Sequence, residues 1–201
     1  MKKDKKKKWP WILGLAVLIV VLILILVRCD GAASKEPTLT VETPQKLSAS
    51  QTKEFTLDVT ISDLADARYP AMSMSIAFDA SRLEFLGVEE GNLFISDPDN
   101  SSGPRLPEWS CNVENSNKTG LINIMYLDMT GGKHAFSKDL LAEDNNVVLR
   151  LRFRLRGSVR PGDVLDLIVE DAVFAASDET ESLAMTLDTL KTKNGRIVIG
   201  E

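Results

Sequence analysis

Chemistry-bearing side chains are scarce in this sequence. It holds one histidine, His134, and two cysteines, Cys29 and Cys111. Two cysteines cannot form a disulfide framework, so any core must come from apolar burial, for which about 165 residues after the N-terminal run suffice. The motif Gly131-Gly-Lys-His134 has no nucleophile motif beside it, which reads as a loop rather than a catalytic base. No glycine-rich phosphate loop and no zinc-ligand cluster is present. Carboxylates are plentiful, but nothing in the sequence brings Glu89-Glu90 and Asp178-Glu179 together as a glycosidase pair. The chain is therefore not read as an enzyme, and no cofactor is expected. Tryptophan is also rare. Two of the three, Trp9 and Trp11, lie in the N-terminal apolar run, so an aromatic platform for polysaccharide would be poorly supplied.

What is present is unevenly distributed. Residues 1–30 carry seven basic and two acidic groups; the rest carries 17 and 27, a formal charge of −10. An acidic body repels a phosphate backbone, which argues against nucleic acid as partner. Residues 1–8 form a basic tail. From Trp9 to Val27 there is no charge, a span of about 28 Å as a helix, close to a bilayer core of ~30 Å. Pro10 suits a helix start, and the tryptophans suit the headgroup level. Residues 9–28 are thus expected to be a single-pass transmembrane anchor. The lysines stay cytoplasmic, and the C-terminal part lies outside the cell. Competing readings are a signal peptide cleaved near Gly31-Ala-Ala-Ser34, or a lipoprotein acylated at Cys29; the length of the span favours the anchor. Residues 29–37 read as a linker and 38–201 as one domain.

That domain reads as strands separated by turns. Met72, Met74, Ile76 and Phe78 alternate with Ser73, Ser75 and Ala77, giving one apolar face and one small polar face. Asp79-Ala-Ser81 is a turn, Leu83 and Phe85 resume burial, and Gly91-Asn92 ends the strand. Phe55, Leu57, Val59 and Ile61 alternate in the same way. In residues 147–156, Leu149, Leu151, Phe153 and Leu155 point inward between Arg150, Arg152, Arg154 and Arg156. Further strands are expected at 39–41, 109–113, 121–127, 164–169, 172–175, 183–187 and 195–199, with a turn at 115–120 and a short helix within 135–143. About nine or ten short strands without a long helix indicate an all-β sandwich.

Several motifs carry a resemblance. They are Phe78-Asp79, Leu83-Glu84-Phe85-Leu86, Glu89-Glu90-Gly91-Asn92-Leu93-Phe94, Gly120-Leu-Ile-Asn-Ile-Met-Tyr-Leu-Asp128, Leu149-Arg-Leu-Arg-Phe-Arg-Leu155 and Asn194-Gly-Arg-Ile-Val-Ile-Gly200. Together they resemble the cohesin domain, the module that captures dockerins in cellulosomes, over roughly residues 38–200. The resemblance implies a nine-stranded jelly-roll β-sandwich, close to carbohydrate-binding sandwiches, that holds a dockerin-bearing protein noncovalently in a polysaccharide-degrading context. Calcium would belong to the dockerin. The implied partner-binding face comprises Ala71, Ser73, Ser75 and Ala77, small residues on which a helix can lie closely. The best-known cohesin class has Asn and Asp where this chain has Ala71 and Ser73, so the specificity of that class does not carry over.

Other features have plainer readings. The arginine row is a solvated face, or a docking stripe for an acidic partner. Asp97-Pro-Asp99-Asn100 is oxygen-rich but lacks the EF-hand glycine and glutamate, so no metal is assigned to it. Asn100 and Asn117 begin glycosylation sequons. Cys111 reads as a small hydrophobe. The alternatives to dockerin capture are direct binding of polysaccharide, and a structural role within an envelope complex.

Overall fold

Period-two alternation builds nearly every element of the domain. The computed structural model describes residues 36–44, 46–50, 54–64, 67–93, 109–129, 134–177, 184–186 and 188–201. The expected basic tail, the anchor at 9–28, Cys29, the loop at 97–100 and Asp178-Glu179 lie outside those residues. Among the described residues no helix is long and apolar enough to cross a membrane.

In chain order the strands are β1 (Thr38–Val41), β2 (Leu47–Ser48), β3 (Phe55–Ile61), β4 (Arg68–Tyr69), β5 (Ala71–Phe78), β6 (Leu83–Glu90), β7 (Ser110–Cys111), β8 (Leu121–Leu127), β9 (Phe136–Ser137), β10 (Val147–Leu155), β11 (Val164–Ala175), β12 (Lys191–Lys193) and β13 (Gly195–Gly200). One sheet has the order β12-β1-β3-β10-β6, the other β2-β13-β11-β5-β8-β7; β4 and β9 form a small ribbon. The fold is an all-β sandwich. Its thirteen described strand segments outnumber the nine expected, and four of them are only two residues long. The stretches 164–169 and 172–175, expected as separate strands, form the single strand β11 with a register shift between Val169 and Asp171. At 183–187 only an isolated bridge from Met185 to Phe174 is described.

The inward residues of both sheets share one core. Phe153 of β10 lies 5.6 Å from Phe78 of β5 and 5.5 Å from Phe85 of β6, ring centre to ring centre. Toward the other end of β5, Tyr126, Phe136 and Phe174 pack edge to face. Such pairs add to the area term that drives burial. The turn after β5 is as expected. The Asp79 carboxylate accepts from the Ser81 N–H (2.9 Å) and hydroxyl (2.5 Å) and from Arg82 Nε (2.6 Å). These bonds, the hydroxyl's first, hold its pKa below the ordinary value.

Gly91-Asn92 ends β6 by clamping onto the start of β10. A Cβ at Gly91 would sit 1.9 Å from the Val147 carbonyl oxygen, so only glycine fits. Asn92 then donates its N–H to that oxygen (2.8 Å) and accepts from the Val147 N–H through Oδ1 (2.8 Å).

The segment read as a turn at 115–120 is instead a seven-residue helix, α1 (Val113–Thr119). Correspondingly, the strand expected over 109–113 is only the two-residue β7. Asn112 caps the helix by accepting from the Asn115 N–H, and Gly120 ends it at φ 71°, the left-handed conformation that favours glycine. The helix was hidden because α1 is polar on nearly every side and has no apolar period. What holds it is Asn117, whose amide accepts from the Phe85 N–H (2.9 Å) and donates to the Phe85 carbonyl (2.7 Å). Strand β6 is a sheet edge, and this amide takes the place of a missing neighbour there. The Asn117 sequon therefore has its side chain committed inside the fold.

Candidate functional site

The two sheets present opposite chemistries to solvent. Outward positions of the five-stranded sheet carry the arginine row. Arg150 Nε lies 3.0 Å from Asp58, and Arg152 bridges Glu54 (2.5 Å) and Glu89 (3.2 Å). Arg154 bridges Glu54 (2.9 Å) and Glu84 (3.4 Å), while Arg156 donates to the Leu83 carbonyl (3.3 Å). The hydrogen bond from Arg152 lowers the pKa of Glu54. These arginines are matched within the sheet, which is how like charges can share one strand face. A docking stripe for an acidic partner would have to break those pairs.

The six-stranded sheet is different. Ala71, Ser73, Ser75 and Ala77 all lie on the outward side of β5, while Met72, Met74, Ile76 and Phe78 are buried beneath them. Their neighbours follow from the register. On one side Ala71, Ser73, Ser75 and Ala77 pair with Leu127, Met125, Asn123 and Leu121 of β8. On the other they pair with Ala175, Val173, Asp171 and Ile168 of β11. The outer face therefore reads as rows: Ala175-Ala71-Leu127, Val173-Ser73-Met125, Asp171-Ser75-Asn123 and Ile168-Ala77-Leu121. Only the third row is polar throughout, and within it the Ser75 hydroxyl donates to Asn123 Oδ1 (2.8 Å).

The exposed large apolar side chains gather here. Met125 is 57% exposed, Leu127 55%, Ile168 46% and Val198 38%; Met129, at 83%, lies two residues past the end of β8. All but Met129 stand outward on this sheet; Met125 and Leu127 are neighbours on β8, while Ile168 on β11 and Val198 on β13 stand apart from them. A shallow apolar hollow lies over Ala71, Ser73, Met125, Leu127, Val173 and Ala175. A more polar groove runs beside it over Ser73, Ser75, Ser110, Cys111, Asn123 and Met125. The Cys111 thiol is partly buried, which raises its pKa, in keeping with the reading of a small hydrophobe.

The family resemblance named the β5 positions, and the sequence reading did not name the residues that stand beside them on β8 and β11. A signal was available. In Leu121–Leu127 and Val164–Ala175 apolar residues occupy both parities, the pattern of a strand covered on both sides. Reading each run simply as a strand left its outward set unexplained.

The remaining candidates are structural. His134, expected in a loop, is buried; its carbonyl accepts from the Tyr126 hydroxyl (2.8 Å) and its N–H donates to Asp128 (3.3 Å). Burial, with Asp128 nearby, pushes the Tyr126 hydroxyl well above its ordinary pKa. Trp109 packs against Tyr126 (5.3 Å) and Phe136 (6.2 Å) instead of offering an open ring. Among the described residues no group of three metal-ligating side chains converges.

Comparison with known proteins agrees with this architecture. The family profile of the cohesin domain matches residues 39–193. No curated protein matches significantly in sequence. Among solved structures, a type I cohesin–dockerin complex from Clostridium thermocellum superposes with a TM-score of 0.61 at 18% identity, covering 82% of this chain and 99% of that one. The sixth cohesin of scaffoldin B from Acetivibrio cellulolyticus, in complex with a dockerin mutant, gives 0.60 at 17% identity, covering 82% and 99%. A non-cellulosomal cohesin from the archaeon Archaeoglobus fulgidus gives 0.51 at 12% identity, covering 83% and 92%. At such identities the likeness is one of fold.

Proposed function

The chain belongs to the cohesin family, and from that premise we propose that it is a non-catalytic capture module for a dockerin-bearing protein. The binding face is the outer side of the six-stranded sheet, centred on Ala71, Ser73, Ser75 and Ala77 and extended by Met125, Leu127, Val173 and Ile168. One observation carries the reading: this face leaves the large apolar side chains Met125, Leu127 and Ile168 exposed to solvent, whereas the opposite face is charge-matched. Small residues on β5 let a helix backbone approach, and the larger side chains on β8 and β11 flank it. The solved complexes from Clostridium thermocellum and Acetivibrio cellulolyticus, which join cohesins to dockerins, support the choice of partner. Calcium would enter with the dockerin.

The N-terminal segment gives the module its place. Residues 9–28 anchor it in the membrane with residues 1–8 in the cytoplasm, residues 29–37 act as a tether, and residues 38–201 hold the captured protein at the cell surface. Capture is tested by presenting the full chain, in detergent, to purified dockerin modules encoded in the same genome, with and without chelator. Retention of at least one dockerin, lost with chelator, is expected; retention of none overturns the proposal. Placement is tested by protease treatment of intact cells. Digestion of the domain with survival of the N-terminal tail is expected, and full protection would contradict the topology.

A further inference from the structure

We propose that Met125 is a modification site: a peroxide converts its thioether to the sulfoxide, which weakens capture, and reduction restores it. The inference rests on the dockerin reading above and adds a control on it. It starts from a division among the methionines. Among the described residues Met72, Met74 and Met185 are each 2% exposed, whereas Met125 is 57% and Met129 83% exposed. A thioether needs no deprotonation to react. Which of the five is attacked therefore follows from access, and the three core sulfurs are closed to an oxidant in water.

Of the exposed pair, only Met125 lies within the proposed contact. It stands outward on β8, opposite Ser73 of β5 on one side and Ser110 of β7 on the other, and both serines are exposed. Side chains this small leave the thioether uncovered on both flanks. Met125 also borders both the apolar hollow and the more polar groove, so a change there reaches both parts of the face. In the oxidation, sulfur gives two electrons to the peroxide and the O–O bond breaks. One oxygen forms the S=O bond, and the other leaves with both protons as water. A flexible apolar side chain becomes a polar one, with an oxygen that accepts hydrogen bonds. Directly opposite residues on paired strands touch, so the Ser73 and Ser110 hydroxyls are the donors at hand for that oxygen. The apolar stripe of a partner helix offers it none. The sulfoxide is therefore satisfied in the free chain, and covering it adds a desolvation cost that the thioether does not carry. A sulfoxide reductase reverses the step: the oxygen leaves as water while a dithiol is oxidised to a disulfide.

The test treats the full chain in detergent with dilute hydrogen peroxide, removes the peroxide with catalase, and then adds whichever dockerin the untreated chain captures. Peptide mass spectrometry should find one added oxygen on Met125 and on Met129 well before Met72, Met74 and Met185. Affinity should fall about tenfold or more, and sulfoxide reductases with a dithiol should return it. Thermal melting checks that the treated chain keeps its fold. Two variants assign the effect, each compared with its own untreated form. Met129→Leu should lose as much affinity on treatment as the wild type, and Met125→Leu should lose none. A loss that persists in Met125→Leu, or full affinity with Met125 oxidised, overturns this inference and leaves the dockerin reading standing. Oxidation of the core methionines ahead of Met125 does the same. Capture of no dockerin by the untreated chain overturns that reading and this inference with it.

Discussion

The two outer faces of this sandwich come from the same strand chemistry and end in opposite states. On the five-stranded sheet, arginines alternate with core residues along β10, and each finds a carboxylate or carbonyl on a neighbouring strand. On the six-stranded sheet, the outward positions of β5 are small, those of β8 and β11 are mostly apolar, and the exposed large apolar side chains stand there without cover. One face is complete without a partner. The other leaves large apolar side chains uncovered, and that difference, more than any single residue, is why we propose it as the docking surface.

Substitutions that damage one face and spare the other break the comparison most sharply. Ser73→Arg combined with Met125→Asp places charge and bulk at the centre of the apolar rows. Dockerin affinity should fall by more than about a hundredfold while the melting temperature moves by under about 3 °C. Surface plasmon resonance and a thermal scan check the two halves of that statement. Next in size is Asn117→Ala, which acts on the edge of β6. It leaves the Phe85 N–H and carbonyl of β6 unpaired at a sheet edge and should cost about 2–3 kcal/mol of stability. Urea denaturation measures this, and dockerin affinity of the folded fraction should be unchanged.

Smaller effects sharpen the picture of the charged face. Arg152→Ala removes one member of a partly exposed ion-pair lattice and should cost no more than about 1 kcal/mol, with no change in capture. Loss of capture on this substitution would move the binding surface to the wrong sheet. The last prediction concerns the turn that links the two sheets. The Asp79 carboxyl is held below its ordinary pKa by Ser81 first and Arg82 second. A lowered folded-state pKa stabilises the fold above the unfolded value, near 3.9, and that contribution disappears as pH falls through the folded value. Asp79→Asn should therefore be less stable than the wild type at pH 7, and the gap should close below about pH 4 in pH-dependent melting curves.

Much of the fold was legible because alternation is a strong signal wherever one face is buried. Residues 55–61, 72–78 and 149–155 each place their apolar set inward as read. Helix α1 was not legible, since it is held by one side-chain amide reaching across to β6 rather than by an apolar stripe of its own. The β-bulge at Glu170 was invisible for a related reason. A run such as Val164–Ala175 splits naturally into two strands on paper, and only pairing with β5 shows that it is one. Of the candidate site, the β5 positions came from the family resemblance, while Met125, Leu127 and Ile168 needed the register to place them beside Ser73 and its neighbours. The N-terminal anchor and the loop at 97–100 lie outside the described residues.

Methionine-methyl spectroscopy can locate the dockerin contact, because methionines stand on both sides of one sheet. Met125 stands in the outer apolar rows, whereas Met72 and Met74 lie buried beneath them. Titration of the methyl-labelled chain with the captured dockerin should shift the Met125 resonance to saturation at one equivalent, with Met72 and Met74 moving far less. Saturable dockerin binding that leaves the Met125 methyl unmoved would place the contact elsewhere and contradict the account.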